Sequence, residues 1–564
     1  MMTRKLLVWV VGIAALAVVT VHPARPQGEP VDLLIRNGRI VDGSGNPWYF
    51  GSVAVRGDRI VAVGRLGELP ARRVLDAHGW IVAPGFIDLH THSDYTLLVD
   101  GNAESKIRQG VTTEILGESA SAGPVLGPAL EPRQRELQTM GLKLDWRTLG
   151  EYFQRLERQG IAVNVASYVA SGQLWMDVLG NHNRRPTPAE MQQMEQLAEQ
   201  AMREGALGLS SGLIYPPDRY FTTDELIRLA RVAARYGGIY TAHIRGEGNT
   251  VMQAVDEAVE IGRQAGLPVH ILHLKVAGQA NWGRMPEVVR RIEQARSEGV
   301  DVTADVYPYI AAQTDLHMCL PPRLLEGTRE ELLARLRDPS VRAELRRELA
   351  PGSPGWAGSQ VQEAGGWHGV MVGSVHNEAD RPYQGLRMDE VARKMGEDPV
   401  DALCDLLLRE GGSAGAIYFL MDEADLRTAL VQPWVGIGSD GSAVNPEMPF
   451  AGFPHPRFYG TFPRVLARYV REQGVLTLPD AIRKMTSLPA QIVGLSDRGL
   501  LRPGMAADIV VFDPERIADR STFDNPRQYA VGIEYVVVSG QVVLEQGRHT
   551  GTRPGRVLQH RPSD

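Results

Sequence analysis

Cysteine is nearly missing from this chain, which has only Cys319 and Cys404 among its 564 residues. Two cysteines that far apart cannot build a disulfide framework, and they lack the spacing of a zinc finger. Basic charge is also scarce, because 60 lysines and arginines face 67 acidic residues. We therefore expect a small-molecule substrate and no nucleic-acid partner. The sequence contains no internal repeat or low-complexity tract, and its 43% apolar and 23% charged residues are typical of a globular protein.

Long apolar runs are absent except at the start of the chain. Arg4 and Lys5 precede an unbroken apolar stretch over residues 6–21, which is the layout of a secretory signal. We expect residues 1–27 to direct export to the periplasm or the medium and to be cleaved. The alternative is an uncleaved anchor, which would be the only contact with a membrane. The oligomeric state cannot be inferred from the sequence.

Both ends of the chain resemble antiparallel β-structure. Residues 31–63 alternate apolar and polar side chains and are interrupted at Asn37-Gly38, at residues 43–45 and at Gly57-Asp58, which predicts hairpins with tight turns. Residues 508–513 and 535–544 have the same character. We predict one small β-sandwich-like domain built from residues 28–83 and 495–550, followed by a tail over 551–564. The alternative is two unrelated edge sheets.

Between these ends, residues 84–494 alternate short apolar strands with helical patterns, which is typical of parallel βαβ units. Two helix starts have capping boxes, Thr187 with Glu190 and Thr222 with Glu225. We predict an α/β fold with a (β/α)8 TIM barrel whose strands cover 85–90, 111–117, 162–169, 206–212, 239–244, 269–275, 302–309 and 435–440.

One connection in this barrel is unusually long. More than 100 residues separate Tyr309 from Trp434, and within them we mark an insertion at about 323–369. A βα loop of this length is usually functional, so the segment is interpreted either as a lid or subdomain over the barrel mouth or as a peripheral decoration.

The chemistry is expected where the strands end. In the segment IVAPGFIDLHTHSDY, His90 and His92 lie two positions apart, so both imidazoles point to the same side of an extended chain and can reach one metal ion. Catalytic groups of such barrels lie at the carboxyl ends of strands. Each candidate alone is more often a core histidine or a turn aspartate, but five strand ends agree. The candidate ligands of one or two zinc ions are His90, His92, Glu118, His243, His273 and Asp440.

The motifs PGFIDLHTHSD, GVTTEILGES, GLSSGLIYPP, HIRGEG, HLK, DVYPY, GSDG, HPRFYGTFPRVL and RPGMAADIVVFD together resemble the amidohydrolase superfamily, and within it the N-acyl-D-amino-acid deacylases. The resemblance extends from residue 31 to about residue 547. It implies a firmly held zinc at a strand-two residue with His243 and His273, and a second, often weaker, position at His90, His92 and Asp440. It also implies that Lys275, Tyr307 and Arg457 bind the substrate α-carboxylate.

The second strand departs from that family pattern. The best-known D-aminoacylases have a cysteine ligand there, whereas this chain reads Gly117-Glu118-Ser119-Ala120. Glu118 is the natural replacement, although ungapped matching aligns Ser119 with the cysteine. Glu114 is a weaker candidate on the same strand.

The expected activity is hydrolysis of an N-acyl-D-amino acid to a carboxylate and a free D-amino acid. Zinc would activate water and polarise the amide carbonyl, and Asp440 would carry the proton from water to the departing amine. Three alternatives are a dipeptidase for peptides with a C-terminal D-residue, a hydrolase of cyclic amides, and a non-catalytic barrel. The cyclic-amide enzymes resemble the amidohydrolase members that have a carboxylated lysine on the fourth barrel strand. The segment AMREGALGLSSGL at that strand contains no lysine, which argues against this alternative.

Overall fold

A computed structural model describes residues 29–353, 356, 358–448 and 452–560. The strands, in chain order, are β1 (Val31–Ile40), β2 (Tyr49–Arg56), β3 (Arg59–Gly64), β4 (Ala71–Asp76), β5 (Ile81–Pro84), β6 (Phe86–Asp88), β7 (Val111–Leu116), β8 (Asn164–Ser167), β9 (Val169–Ala170), β10 (Gly208–Gly212), β11 (Ile239–His243), β12 (Val269–Ile271), β13 (Val302–Val306), β14 (Ala312–Asp315), β15 (Val370–Val372), β16 (Gly415–Tyr418), β17 (Val435–Ile437), β18 (Ile509–Phe512), β19 (Ile533–Val538), β20 (Gln541–Glu545) and β21 (Arg548–His549).

The α-helices are α1 (Thr96–Val99), α2 (Glu104–Ile107), α3 (Leu130–Thr139), α4 (Leu149–Gln159), α5 (Ser171–Leu179), α6 (Pro188–Arg203), α7 (Thr223–Ala234), α8 (Val251–Ala265), α9 (Met285–Ser297), α10 (Arg329–Arg337), α11 (Pro339–Glu348), α12 (Gln360–Glu363), α13 (Met388–Met395), α14 (Pro399–Arg409), α15 (Glu423–Leu430), α16 (Arg457–Arg464), α17 (Leu478–Met485) and α18 (Ser487–Ile492). Within the described residues, no helix is both long and apolar enough to cross a bilayer. The predicted export segment, residues 1–27, lies outside the described residues, as do residues 561–564 at the end of the predicted tail.

The two chain ends form one nine-stranded sheet. Its strands follow the order β21-β20-β19-β18-β5-β1-β2-β3, and β4 pairs with β1 from the side. Strand β5 joins the two ends, because it pairs in parallel with β1 and antiparallel with β18. The prediction that both chain ends build one β-structure is confirmed, and the alternative of two unrelated edge sheets is wrong.

The predicted turn at Asn37-Gly38 is wrong. These residues lie inside β1, where the pairing register with β2 shifts between Ile35 and Gly38. Asn37 has a φ of 59°, which asparagine tolerates better than most residues. A Cβ at Gly38 would lie 2.4 Å from the Val82 side chain. Asn37 and Gly38 therefore form a bulge where β1 lies close to its neighbour β5.

Each of the eight strands expected between the chain ends is present, although most are shorter than predicted. Parallel pairing gives a β6-β7-β8 sheet and a β9-β10-β11-β12-β13-β17 sheet. A single residue, Tyr168, separates β8 from β9. At the opposite edges, Leu89 N donates to Ile437 O over 3.5 Å, and Thr91 pairs with Gly441. The result is a mixed α/β fold in which all eight carboxyl ends face the same side.

The helices between these strands start where the sequence predicts. Thr187 and Thr222 each accept a hydrogen bond at the side-chain oxygen from the backbone N–H of the third helix residue, a glutamate. The carboxylate of that glutamate accepts the backbone N–H of the threonine, so both capping boxes are confirmed. Each cap contributes about 1 kcal/mol to helix stability. Helix α7 then buries Leu226, Leu229 and Ala233 in the main core that surrounds the parallel strands.

The long connection from β13 to β17 forms a subdomain over residues 312–421, which we call the 312–421 subdomain. It contains an antiparallel sheet in the order β14-β16-β15 and helices α10 to α14. Its own apolar core includes Leu336, Leu345, Val391, Leu403 and Tyr418. The predicted insertion at 323–369 covers α10, α11 and α12. Strand β14 borders the pocket described below, so the subdomain is one wall of that pocket and not a peripheral decoration.

Candidate metal centre and pocket

The six predicted metal ligands follow five different strands and meet at one place. His90 and His92 follow β6, Glu118 follows β7, His243 ends β11, His273 follows β12 and Asp440 follows β17. Parallel strands bring their carboxyl ends to one edge, so these residues converge although they are up to 350 positions apart in the chain. All are buried except His92, whose side chain is 41% exposed.

The first group of metal-capable side chains comes from the segments that follow β6, β7 and β17. His90 Nε2 lies 2.5 Å from Glu118 Oε2 and 3.6 Å from Asp440 Oδ1. His92 Nε2 lies 3.1 Å from the same Glu118 oxygen and 3.0 Å from Asp440 Oδ1. Four potential ligand atoms, all within 4.8 Å of one another, can therefore surround one ion.

The second group shares Glu118 with the first. His243 Nδ1 lies 3.5 Å from Glu118 Oε1, and His273 Nε2 lies 4.0 Å from that oxygen. The two oxygens of one carboxylate thus face two sets of histidines. Glu118 is the residue after β7 that belongs to both groups, and Ser119 borders the pocket beside it.

Glu114 does not reach these groups. It accepts a hydrogen bond from Ser93 Oγ and lies 3.7 Å from Lys106 Nζ. The weaker sequence candidate is therefore wrong as a metal ligand, because Glu114 faces the buried layer below the site and Glu118 faces the pocket.

The donor set fits a divalent cation such as zinc, which prefers imidazole and carboxylate ligands. Burial raises the pKa of Glu118, but the adjacent His90 and the hydrogen bonds from histidines outweigh it and hold that pKa well below its ordinary value. Burial, then Lys275, lowers the pKa of His273 to about 4, so its imidazole is neutral, which is the form that binds a metal ion. Among the described residues, the buried His243 Nε2 has no hydrogen-bond partner. It lies 3.6 Å from Glu247 Oε1, whereas the other ring nitrogen, Nδ1, faces Glu118.

Glu247 is a site residue that the sequence reasoning missed. It is the single acidic residue of HIRGEG, four residues after His243, and a helical-turn spacing after a strand-end histidine was the available signal. Its Oε1 lies 2.6 Å from Lys275 Nζ and 3.2 Å from His273 Nδ1. Burial raises the pKa of Glu247, but Lys275 and the two histidines outweigh burial, so the pKa lies well below its ordinary value. Glu247 thus holds the lysine and the histidine in place.

Asp305, in the DVYPY motif, was also missed. Its Oδ1 accepts the backbone N–H of His273 over 3.0 Å, and its Oδ2 lies 2.9 Å from His270 Nε2. His270 is thus buried against Asp305 and belongs to neither metal-capable group. Asp305 Oδ1 is also 3.8 Å from His90 Nδ1, so this carboxylate supports histidines on two strands from below.

The three residues predicted to bind a carboxylate lie on one wall of the site, and all are buried. Arg457 Nη1 is 2.9 Å from Asp440 Oδ2, and its guanidinium carbon lies 4.7 Å from the centre of the Tyr307 ring. Lys275 Nζ is 5.9 Å from the same ring centre. Arg457 Nη2 also donates to Gln313 O over 3.3 Å, which connects the wall to the 312–421 subdomain.

These groups open into a pocket of about 440 Å³, a size that suits a small-molecule ligand. The barrel side contributes His92, Glu118, His243, His273 and Asp440 with Ser119, Ile214 and Tyr215, and the subdomain contributes Gln313, Thr314, Asp315, Gln360, Ser374, His376 and Ser413. The subdomain wall is mainly polar.

Known proteins are similar to this chain in both sequence and architecture. The profile of the Amidohydrolase family matches residues 73–544. A D-aminoacylase from Alcaligenes xylosoxydans xylosoxydans is 37% identical over 538 residues, with 95% of this chain and 99% of that protein covered. The chain belongs to the amidohydrolase family, in the group of the N-acyl-D-amino-acid deacylases. The resemblance drawn from the motifs is therefore confirmed.

Two further members of this amidohydrolase group are informative. An N-acyl-D-glutamate deacylase from the same Alcaligenes is 37% identical, with 94% of this chain and 97% of that protein covered. The crystal structure of an N-acyl-D-glutamate deacylase from Bordetella bronchiseptica, in complex with zinc and a phosphonate mimic of the tetrahedral intermediate, superposes with a TM-score of 0.78. It is 35% identical, and 94% of this chain and all of that chain are covered.

Below the site of this amidohydrolase, a buried lysine connects β6 to the segment that follows β17. Lys106 Nζ donates to Asp88 Oδ2 over 2.8 Å, to Ser439 Oγ over 2.7 Å and to Gly441 O over 2.8 Å. Asp88 in turn accepts the backbone N–H of Ser439 over 2.7 Å. The Lys106–Asp88 ion pair and its hydrogen bonds to Ser439 and Gly441 thus hold the segments that carry His90 and Asp440 together.

Proposed function

We propose that this protein is a zinc-dependent hydrolase that cleaves N-acyl-D-amino acids into a carboxylate and a free D-amino acid. The observation that carries the proposal is the position of Glu118, whose two oxygens face the two groups of metal-capable side chains. The full-length similarity to D-aminoacylase supports the substrate class.

One or two zinc ions would be held by these side chains. His243, His273 and Glu118 would form one position, and His90, His92 and Asp440 would form the other with the same glutamate. Bound zinc supplies a Lewis acid that polarises a carbonyl and makes water more acidic. Neutral His273 and the anionic Glu118 are the ligand forms that this chemistry needs.

Asp440 would carry the proton. Its Oδ1 faces His92 and its Oδ2 faces Arg457, so the carboxylate lies between the metal-capable groups and the predicted substrate clamp. From there it can accept the proton of the attacking water and return it to the amide nitrogen, which leaves as a neutral amine only after it is protonated. The side chain is buried, which limits exchange of that proton with solvent.

Arg457, Lys275 and Tyr307 would hold the α-carboxylate of the substrate. In the structure Arg457 faces Asp440 and Lys275 faces Glu247, so each cation is already neutralised and kept in position. A guanidinium has further N–H donors, and Arg457 Nε has no hydrogen-bond partner among the described residues. An arriving carboxylate would use these donors without the displacement of Asp440.

The fold proposed for this chemistry is a closed (β/α)8 barrel. The hydrogen bond from Leu89 to Ile437 and the pairing of Thr91 with Gly441 support contact between strands one and eight. The single residue between β8 and β9 supports continuity on the other side.

We also propose that the protein is exported. The basic pair Arg4 and Lys5 with the apolar residues 6–21 supports this. Expression of the full chain in a bacterium with two membranes should place the enzyme in the periplasm, and a chain without residues 1–27 should stay in the cytoplasm. Retention of the full chain in the cytoplasm would refute export. The mature N-terminus, read by mass spectrometry, separates cleavage from anchoring.

The test of the activity uses matched panels of N-acetyl-D- and N-acetyl-L-amino acids, with release of the free amine as the readout. We expect hydrolysis of D members only, loss of activity after chelation, and recovery with zinc. Asp440→Asn should lose nearly all activity, whereas Asp301→Asn, whose side chain is 64% exposed and lies outside the pocket, should be as active as the wild type. A metal-loaded protein that leaves the entire D panel intact would overturn the proposal.

A further inference from the structure

The charges that line the pocket are unequal in a way that bears on the substrate side chain. Among the described residues of the lining, Lys275 and Arg457 are the only lysine and arginine, whereas Glu118, Glu247, Asp315 and Asp440 are acidic. Both cations already lie within 3 Å of a carboxylate. If both serve the α-carboxylate of the substrate, the lining offers no further lysine or arginine to a second carboxylate.

The subdomain wall adds a negative charge where a side chain would lie. Arg457 Nη2 touches Gln313 O, and Asp315 follows two residues later on β14. The side chain and the carboxylate of an amino acid share one carbon, so a substrate held at Arg457 presents its side chain close to this strand. The Asp315 side chain borders the pocket and is 46% exposed.

The groups around Asp315 do not cancel its charge. Its Oδ1 accepts a hydrogen bond from Ser413 Oγ over 3.2 Å, and Tyr418 donates to its backbone oxygen. His317 Nδ1 lies 3.8 Å from Oδ2, which is beyond hydrogen-bond range. His376, an exposed imidazole, is the remaining ionisable residue of this wall among those described.

We propose that the polar wall of the 312–421 subdomain is a side-chain subsite in which Asp315 selects against acidic substrates. The subsite accepts neutral polar and cationic side chains and rejects those of D-glutamate and D-aspartate. This inference rests on the proposed deacylase function and deepens it. The proposed selectivity distinguishes this chain from the N-acyl-D-glutamate deacylase of Alcaligenes. That enzyme is 37% identical to this chain, as is the D-aminoacylase.

The physical reason is that a carboxylate that enters this subsite loses part of its hydration and gains a like charge without a counter-ion. A site that leaves a substrate charge unpaired discriminates strongly against it, whereas a site that lacks only a methylene contact does not. A side-chain amide of the same shape carries no charge and can bond to Gln313, Thr314 or Ser413.

The experiment compares kcat/KM for two pairs of substrates that differ in charge more than in shape. N-acetyl-D-glutamine is compared with N-acetyl-D-glutamate, and N-acetyl-D-lysine with N-acetyl-D-norleucine. The assays run at pH 8, where an ordinary histidine is neutral. We expect the wild type to prefer glutamine over glutamate by at least about tenfold, and lysine over norleucine by a smaller factor.

Two variants test the role of Asp315. Asp315→Asn should lower the glutamine-to-glutamate ratio by at least about threefold, and Asp315→Lys should lower it further by improving the glutamate value itself. Glu378→Gln is the matched control, because this subdomain carboxylate has an 89% exposed side chain and does not border the pocket. It should leave both ratios unchanged. Because Asp315→Lys is expected to gain activity on glutamate, a folding defect cannot imitate the result.

The possible outcomes are distinct. Equal cleavage of glutamine and glutamate substrates by the wild type, or ratios that neither Asp315 variant changes, would overturn the subsite. N-succinyl- and N-butyryl-D-norleucine extend the test. If Asp315→Asn changes the preference between these acyl groups and not between side chains, the wall holds the acyl group and the proposal is wrong. Failure of the wild type on both neutral substrates would refute the deacylase function and the subsite with it.

Discussion

Lys106 offers the sharpest test of how the fold supports the site. Its side chain is fully buried, and its ammonium group donates to Asp88, Ser439 and Gly441. Lys106→Met keeps most of the apolar stem and removes the charge and all three hydrogen bonds. The change leaves Asp88, which is also fully buried, without its cation.

The expected loss follows from that burial. Removal of one partner from a buried ion pair costs about 3–5 kcal/mol, because the remaining charge stays out of water without compensation. Whole domains are stabilised by about 5–15 kcal/mol, so the variant should lose a large part of its stability. Asp88 also holds the backbone of Ser439, next to Asp440, so hydrolysis should decrease as well.

The assay is urea denaturation followed by tryptophan fluorescence, on metal-loaded and metal-free protein. Arg263→Met is the control, because Arg263 pairs with Glu260 and Glu298 on the surface and these side chains are about 40% exposed. An exposed pair of this kind contributes about 0–1 kcal/mol. If Lys106→Met shifts the midpoint no further than Arg263→Met does, the inferred burial of the ion pair is wrong.

Further predictions concern the site and one distant carboxyl group. Glu118→Gln should weaken zinc binding by at least about 100-fold, measured by chelator competition and metal analysis, because both metal-capable groups use this carboxylate. Asp440→Asn should lower kcat by about 10²–10⁴ and still retain zinc at His243, His273 and Glu118, which steady-state kinetics and metal analysis can separate. Arg457→Lys should raise KM about tenfold with a smaller effect on kcat, because lysine lacks the two parallel donors. Asp177 has its pKa raised to about 7 by burial. Because the folded state then binds the proton more tightly than the unfolded chain, Asp177 should reduce stability as pH rises from about 4 to about 7. Asp177→Asn should remove that decrease, of the order of 2–4 kcal/mol, in urea midpoints taken across this range.

Each of these predictions has a result that contradicts it. Full zinc content and unchanged chelator competition in Glu118→Gln would show that the carboxylate is not a ligand. Hydrolysis at a normal rate by Asp440→Asn would remove its role as proton carrier. A lower kcat with unchanged KM in Arg457→Lys would argue against a carboxylate clamp. Parallel pH profiles of the wild type and Asp177→Asn would mean that Asp177 is not protonated in the folded protein near neutral pH.

Local patterns in the sequence were sufficient for the secondary structure and for much of the candidate site. Strand periodicity located all eight parallel strands, and the capping boxes at Thr187 and Thr222 located helix starts, because both signals depend only on neighbouring residues. The spacing of His90 and His92 predicted a shared side by the same reasoning. Since parallel strands end at a common edge, the other candidates could be collected without knowledge of their contacts.

The tertiary structure decided what no local pattern contains. Lys106 reaches Ser439 across 333 positions of sequence, and nothing near either residue indicates the other. Asp305 and Glu247 are ordinary strand and loop acids until neighbouring strands bring them beside His270 and His273. The sequence named Glu118 as the strand-two ligand although ungapped matching favoured Ser119, and only the packing of the strands shows that Glu118 contacts histidines of both groups. The sequence alone therefore determined the types and order of the elements. The identity of the residues around the site depended on how distant segments pack, because burial and charge pairing arise only from that packing.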